Sequence, residues 1–209
     1  MQQSKLILTL FLMFFSWMSL STPLNAASQN DPIALLEYVA NNMISGLKEN
    51  KATLKTKPQV VYQLAYKYVV PYADLDGMAR QVLPAHIWNS ATPEQRAQFK
   101  KEFTTTLIRT YASALTSYED QVIKFYPIRG GIQGLNSVEV NSEIDSSHNE
   151  PIQVTYRVTR VGGSWRLNDL SVEGVSMLES FRSQFEDILS QGNMSELLRR
   201  MAEHNNRRR

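Results

Sequence analysis

One stretch constrains the fold more than any other: Thr92 to Tyr118, TPEQRAQFKKEFTTTLIRTYASALTSY, which reads as a single long helix with a marked start. Thr92 suits the N-cap and Pro93 the first helical position, while Gln95, three residues after the cap, can reach back to the cap's own N–H. Ala97, Phe99, Phe103, Leu107, Tyr111, Ala114 and Leu115 recur at spacings near three and four. Arg96, Lys100, Lys101, Glu102 and Arg109 fall mainly elsewhere on the wheel, so one face is broad, apolar and aromatic. A helix rises about 1.5 Å per residue, so this one spans a small domain and needs an equally long cover.

The flanking sequence supplies that cover. Asp31 and Pro32 open an amphipathic helix carrying Ile33, Leu36, Val39, Ala40, Met43, Ile44 and Leu47 and ending near Asn50. After Pro58, the spacing of Val60, Val61, Leu64, Ala65, Tyr68 and Val69 predicts a second helix, which Pro71 ends. Asp74 caps a third, through Met78, Ala79, Val82 and Leu83, stopped by Pro84. Beyond Tyr118 the period becomes twofold, with strands expected in Asp120–Ile128, Val138–Ile144, Ile152–Val161 and Trp165–Asp169. Gly162 and Gly163 provide the positive φ angles of a tight hairpin turn, so the sheet is antiparallel and half-buried. Capping pairs Ser176 with Glu179, and Asn193 with Glu196, start two closing helices, the first ended by Gly192.

The chain has 209 residues, no cysteine and a formal net charge of +2, which fits one ordinary globular core and gives no bulk charge for nucleic acid. Without cysteine there is no disulfide scaffold, thiolate zinc site, thiol nucleophile or acceptor for a lipid anchor. Residues 1–26 have the layout of a secretory signal peptide: Lys5, an apolar run from Leu6 to about Leu20, then small residues before cleavage near Ala26. The run is interrupted by Thr9, Ser16 and Ser19 and falls short of the roughly 20 apolar residues a membrane anchor needs. Residues 27–205 then form a single domain and residues 206–209 a basic tail, Arg207 to Arg209, read as solvated.

Chemistry is sparse. His86, His148 and His204 stand far apart and lack metal-ligand spacing, so no metal site is expected. Ser176 has only the first half of a nucleophile elbow and is better explained as a helix cap. Gly130, Gly131 and Gly134 do not open a helix, which argues against a phosphate cradle. Asp169 is the exception, because strand alternation places it with Trp165 and Leu167, where a desolvated carboxylate could act as a base. Bonding to backbone N–H groups or a tyrosine hydroxyl is the structural alternative. What remains is apolar: Phe99, Phe103 and Tyr111 on the helix, Val140, Val154, Tyr156, Val158, Trp165 and Leu167 on the sheet. Periodicity does not separate a filled core from a hollow one, and the filled core is the simpler reading of pattern alone.

Several segments in order carry a resemblance: Pro71-Tyr72-Ala73-Asp74; Ser90-Ala91-Thr92-Pro93-Glu94-Gln95-Arg96 with Phe99 and Phe103; Trp165 with Asp169; and Glu173-Gly174-Val175-Ser176 followed by Arg182 and Phe185. Together they resemble the MlaC family of periplasmic phospholipid-binding proteins, also called the toluene-tolerance family, over about Pro32 to Met201. The resemblance implies an α+β fold, with helices wrapped around a curved four-stranded antiparallel sheet that encloses an apolar lipid pocket. It further implies a monomeric periplasmic shuttle that carries phospholipid between an outer-membrane lipoprotein complex and an inner-membrane ABC transporter, maintaining outer-membrane lipid asymmetry. No catalytic residue and no cofactor carry over, the bound phospholipid being cargo. The lining expected on this reading is Tyr72, Met78, Val82, Phe99, Phe103, Leu107, Tyr111, Val140, Val154, Tyr156, Val158, Trp165 and Leu167. Departures from the family pattern fall in the Arg129–Ser137 loop, the Asp145–Pro151 hairpin and the basic C-terminus. Two rival readings stand: an exported enzyme on a small apolar substrate, with Asp169 as base and Tyr156 or Tyr111 as donor, and an interaction domain with a filled core.

Overall fold

The computed structural model describes residues 29–116, 120–146 and 149–206. The signal-peptide reading of residues 1–26, the end of the long helix at Tyr118, His148 and the basic run 207–209 lie outside them, as does the side chain of Ala114. The described helices are α1 (Pro32–Glu49), α2 (Gln59–Tyr68), α3 (Leu75–Val82), α4 (Ala85–Ser90), α5 (Pro93–Leu115), α6 (Met177–Gln191) and α7 (Met194–Asn206). Between α5 and α6 run β1 (Val122–Phe125), β2 (Ser137–Ser146), β3 (Asn149–Val161), β4 (Ser164–Val172) and β5 (Val175–Ser176). The strands pair as antiparallel neighbours in chain order. The two-residue β5 makes the sheet five-stranded where four strands were expected.

The helix starts follow the local chemistry. Thr92 and Gln95 exchange hydrogen bonds at 3.0 and 3.2 Å, so the capping box of α5 is closed on both sides. Asp31, Asp74, Ser176 and Asn193 each accept from a backbone N–H of the helix they precede. Pro84 ends α3 but does not end helicity, since residues after it are free to begin another turn; α4 starts at Ala85 and buries Trp88. On α5, Phe99, Phe103 and Leu107 are buried while Ala97 is exposed, correcting its place on the apolar face. Residues two apart lie on opposite sides of a helix, so Ala97 and Phe99 do not share a face.

The segment Pro71–Asp74 is stitched to the sheet. Arg166 donates to the Pro71 carbonyl, and the Asp74 N–H donates to the Leu167 carbonyl at 2.8 Å. Asn168 donates to Asp74 at 3.2 Å and accepts from Gln81 at 2.7 Å, tying α3 to β4. Gly77 is required by this junction, because a Cβ there would stand 2.0 Å from the Asp74 carboxylate and 2.8 Å from the Asn168 amide.

Among the described residues, buried apolar side chains gather into three clusters. The largest joins α3 to α7 around Phe99, Phe103, Phe181 and Phe185, whose ring centroids lie 5.6 to 5.9 Å apart. The second sets Leu35 and Leu36 of α1, with Tyr72, against Val138, Val140, Val158 and Trp165 of the sheet. The third joins the C-terminal part of α1 to α2 and α5 through Leu47, Leu54, Val61 and Ala112. A domain of this size ordinarily has one contiguous core plus minor satellites, so the division into three is itself a structural feature.

Candidate functional site

Paired residues of adjacent strands share a face, which lets the register define the inner surface of the sheet. Val140 pairs with Tyr156 and Tyr156 with Leu170; Phe125 pairs with Ser142, Ser142 with Val154 and Val154 with Val172; Ile123 pairs with Ile144 and Ile144 with Ile152. This surface is apolar apart from two hydroxyls, those of Ser142 and Tyr156. At the end nearer the β3–β4 turn it is covered by α1 and Tyr72. At the end nearer the β2–β3 turn, Ile123, Ile144, Leu170 and Val172 remain half-exposed and Ile152 is 42% exposed. Val154, though only 3% exposed, belongs to none of the three clusters.

The expected lining residues are divided by this arrangement. Met78, Val82, Phe99, Phe103 and Leu107 are buried in the all-helical cluster, with Tyr111 half-buried at its margin. Tyr72, Val140, Val158 and Trp165 are buried in the sheet cluster, with Tyr156 and Leu167 packed against it. Val154 is buried but belongs to none of the three clusters. The inner face also holds Phe125, Ser142, Ile144, Leu170 and Val172, absent from the expected lining. Ser142 was signalled by its place two residues from Val140 and from Ile144. Leu170 and Val172 were hidden, because the register shifts between Arg157 and Val158 and resets the alternation along β4.

That same shift corrects the place of Asp169. Leu167 pairs with Val158 but Asp169 pairs with Arg157, so the bulge at Asn168 removes Asp169 from the row of Trp165 and Leu167. Its carboxylate is 3% exposed and faces the start of α6. It accepts from the Leu170 N–H at 2.8 Å, the Leu178 N–H at 3.2 Å and the Ser176 hydroxyl at 2.6 Å. Arg157 approaches to 3.7 Å. Both carboxylate oxygens are thus committed to holding the β4–α6 connection, and Ser176 is bonded to Asp169 while capping α6. The Tyr111 hydroxyl is held above its ordinary pKa, first by burial and then by the Asp169 charge. Burial raises Tyr156 as well, against a smaller lowering by Ser142. His86 and His204 are exposed, and among the described residues no group of three or more His, Asp or Glu side chains is placed to hold a metal ion.

A separate groove of about 730 Å³ lies against the other face of the sheet, lined by Tyr126–Arg129, Gly131, Leu135, Ser137–Glu139, Asn141 and Gln153. Its lining mixes charged, amide and apolar groups, unlike the inner face. Among the described residues no helix is long and apolar enough to cross a membrane.

Comparison with known proteins places this geometry in context. The family model for the MlaC protein matches residues 37–203. A toluene tolerance protein of Pseudomonas putida, Ttg2D, is 25% identical over 167 residues, covering 80% of this chain and 77% of that protein. The intermembrane phospholipid transport system binding protein MlaC of Haemophilus influenzae is 27% identical over 179 residues, covering 84% and 83%. Among solved structures, a phospholipid-binding protein from Ralstonia solanacearum, in complex with a phospholipid, superposes with a TM-score of 0.76 at 28% identity, covering 86% of this chain and 97% of that one.

Proposed function

The chain belongs to the MlaC family, and from that premise we propose that it is a phospholipid carrier whose acyl chains occupy the space between the half-covered inner sheet face and the C-terminal half of α5. The observation that carries this reading is the apolar inner face of the sheet, which α1 and Tyr72 cover at one end while Ile123, Ile144, Leu170 and Val172 stay half-exposed at the other. The likeness to a relative solved with phospholipid supports it. On this reading Leu107, Tyr111, Val154 and Tyr156 touch the cargo directly. Met78, Val82, Phe99 and Phe103 form the wall behind them, and Tyr72, Val140, Val158, Trp165 and Leu167 close one end.

The energetics favour such a device. Two acyl chains with roughly 30 methylenes oppose exposure to water by on the order of 24 kcal/mol, so an unassisted lipid leaves a bilayer slowly. A wall of Val, Leu, Phe and Tyr recovers most of that without reading chain identity closely. We further propose that the chain works in the periplasm as a monomer, between an outer-membrane lipoprotein complex and an inner-membrane ABC transporter, and so maintains outer-membrane lipid asymmetry. No cofactor takes part. Asp169, the base of the enzymatic alternative, has both oxygens hydrogen-bonded within the β4–α6 connection, which favours the carrier reading.

The test is transfer. Lipid-free protein is added to donor vesicles holding isotope-labelled phospholipid and to separable acceptor vesicles. Acceleration of label transfer in proportion to protein concentration is expected; transfer at the spontaneous rate would overturn the proposal.

A further inference from the structure

Within the apolar inner face, Ser142 and Tyr156 form a polar island. Ser142 is 0% exposed and its hydroxyl donates to the Tyr156 hydroxyl at 3.3 Å. Ser142 is flanked in register by Phe125 and Val154, and the Phe125 ring, with its centroid 5.6 Å from that of Tyr156, holds the phenol against the sheet. A hydroxyl carries one donor proton and two acceptor lone pairs. The Ser142 proton is used on Tyr156, and among the described residues the phenol proton has no acceptor. Tyr156 is thus a directed donor on a wall whose residues other than Ser142 are apolar. Burial keeps the phenol protonated and therefore a donor.

The chemistry of the missing acceptor is restricted. Neither hydroxyl is hydrogen-bonded to a lysine or arginine among the described residues, and an anion buried without a cation is strongly disfavoured. That disfavours a phosphate or a carboxylate at this point, whereas a neutral acceptor such as an ester carbonyl satisfies the phenol without a buried charge. We propose that Tyr156, oriented by Ser142, donates to an ester carbonyl of the bound lipid, and so fixes how deeply the acyl chains insert. This inference rests on the phospholipid-carrier reading and adds to it a preference for acyl-ester over ether-linked lipid.

The experiment offers lipid-free protein vesicles containing equal amounts of a diacyl phosphatidylethanolamine and its diether analogue with the same chain lengths, followed by re-isolation and mass spectrometry of the bound lipid. Ester enrichment of roughly three- to ten-fold is expected for the parent, the range that one net hydrogen bond supplies. In Tyr156→Phe the enrichment falls to about one, read within whatever lipid that variant retains. Should that variant fail to fold because Ser142 is left without its partner, Ser142→Ala with Tyr156→Phe removes both hydroxyls together and gives the same readout. Parent protein that loads both lipids equally overturns the inference and leaves the carrier reading intact. Enrichment that survives in the double variant overturns the assignment to this pair. Parent protein that takes up neither lipid overturns the carrier reading itself.

Discussion

Tryptophan in place of Val154 is expected to leave a folded protein that retains less than about a tenth of the parent's bound phospholipid, a loss of at least about 1.4 kcal/mol in lipid affinity. On the proposed carrier reading the cargo lies against Val154, which belongs to none of the three packed clusters, so a ring added there takes the place of an acyl chain. The control is Val140→Trp. Val140 is fully buried against Leu35, Leu36, Val158 and Trp165, where extra volume overpacks a filled region and costs about 1 to 3 kcal/mol. Melting is compared on delipidated protein, since bound lipid itself raises apparent stability. Circular dichroism reports folding and extraction reports cargo. Unfolding of the Val154 variant, or a folded Val154 variant with undiminished lipid, would contradict the placement of the cargo.

The second large effect concerns Asp169. Alanine there strands two backbone N–H donors and the Ser176 hydroxyl in a buried site, and each such group costs about 1 to 3 kcal/mol when left unpaired. The expected loss is about 3 to 5 kcal/mol, among the largest that a single substitution produces. Asparagine retains one acceptor but turns an amide N–H toward donors, so it is expected to fall between parent and alanine. Urea unfolding of lipid-free protein measures both. Full stability in Asp169→Ala, with an activity on some small substrate abolished, would restore the enzymatic reading.

The helix starts were legible because a capping residue acts on its own next turn: Asp31, Asp74, Thr92, Ser176 and Asn193 all hold the N–H groups that their spacing implies. Gly162 and Gly163 were legible for the same reason, with φ of 58° and 85° at a two-residue turn joining Val161 to Ser164. What failed was anything set by partners distant in sequence. The extra residue at Asn168 follows from its bonds to Asp74 and Gln81, across the chain, and strand alternation carries past it with no warning. Asp169, Leu170 and Val172 were therefore misread or missed together. The separation of Phe99 and Phe103 from Val140 and Val158 into different clusters was equally hidden, since both sets satisfy the same inward rule. The candidate site was readable as a list of apolar residues and not as a place.

The most direct measurement is the mass of the protein as it comes from the cell. Purified from an expressing bacterium without detergent and sprayed intact, it should exceed the mass of the polypeptide alone by that of a diacyl phospholipid at a fixed ratio, and denaturing extraction should return the same lipid. Well-folded protein that flies at the bare polypeptide mass, and takes up nothing when afterwards mixed with phospholipid vesicles, would contradict the account.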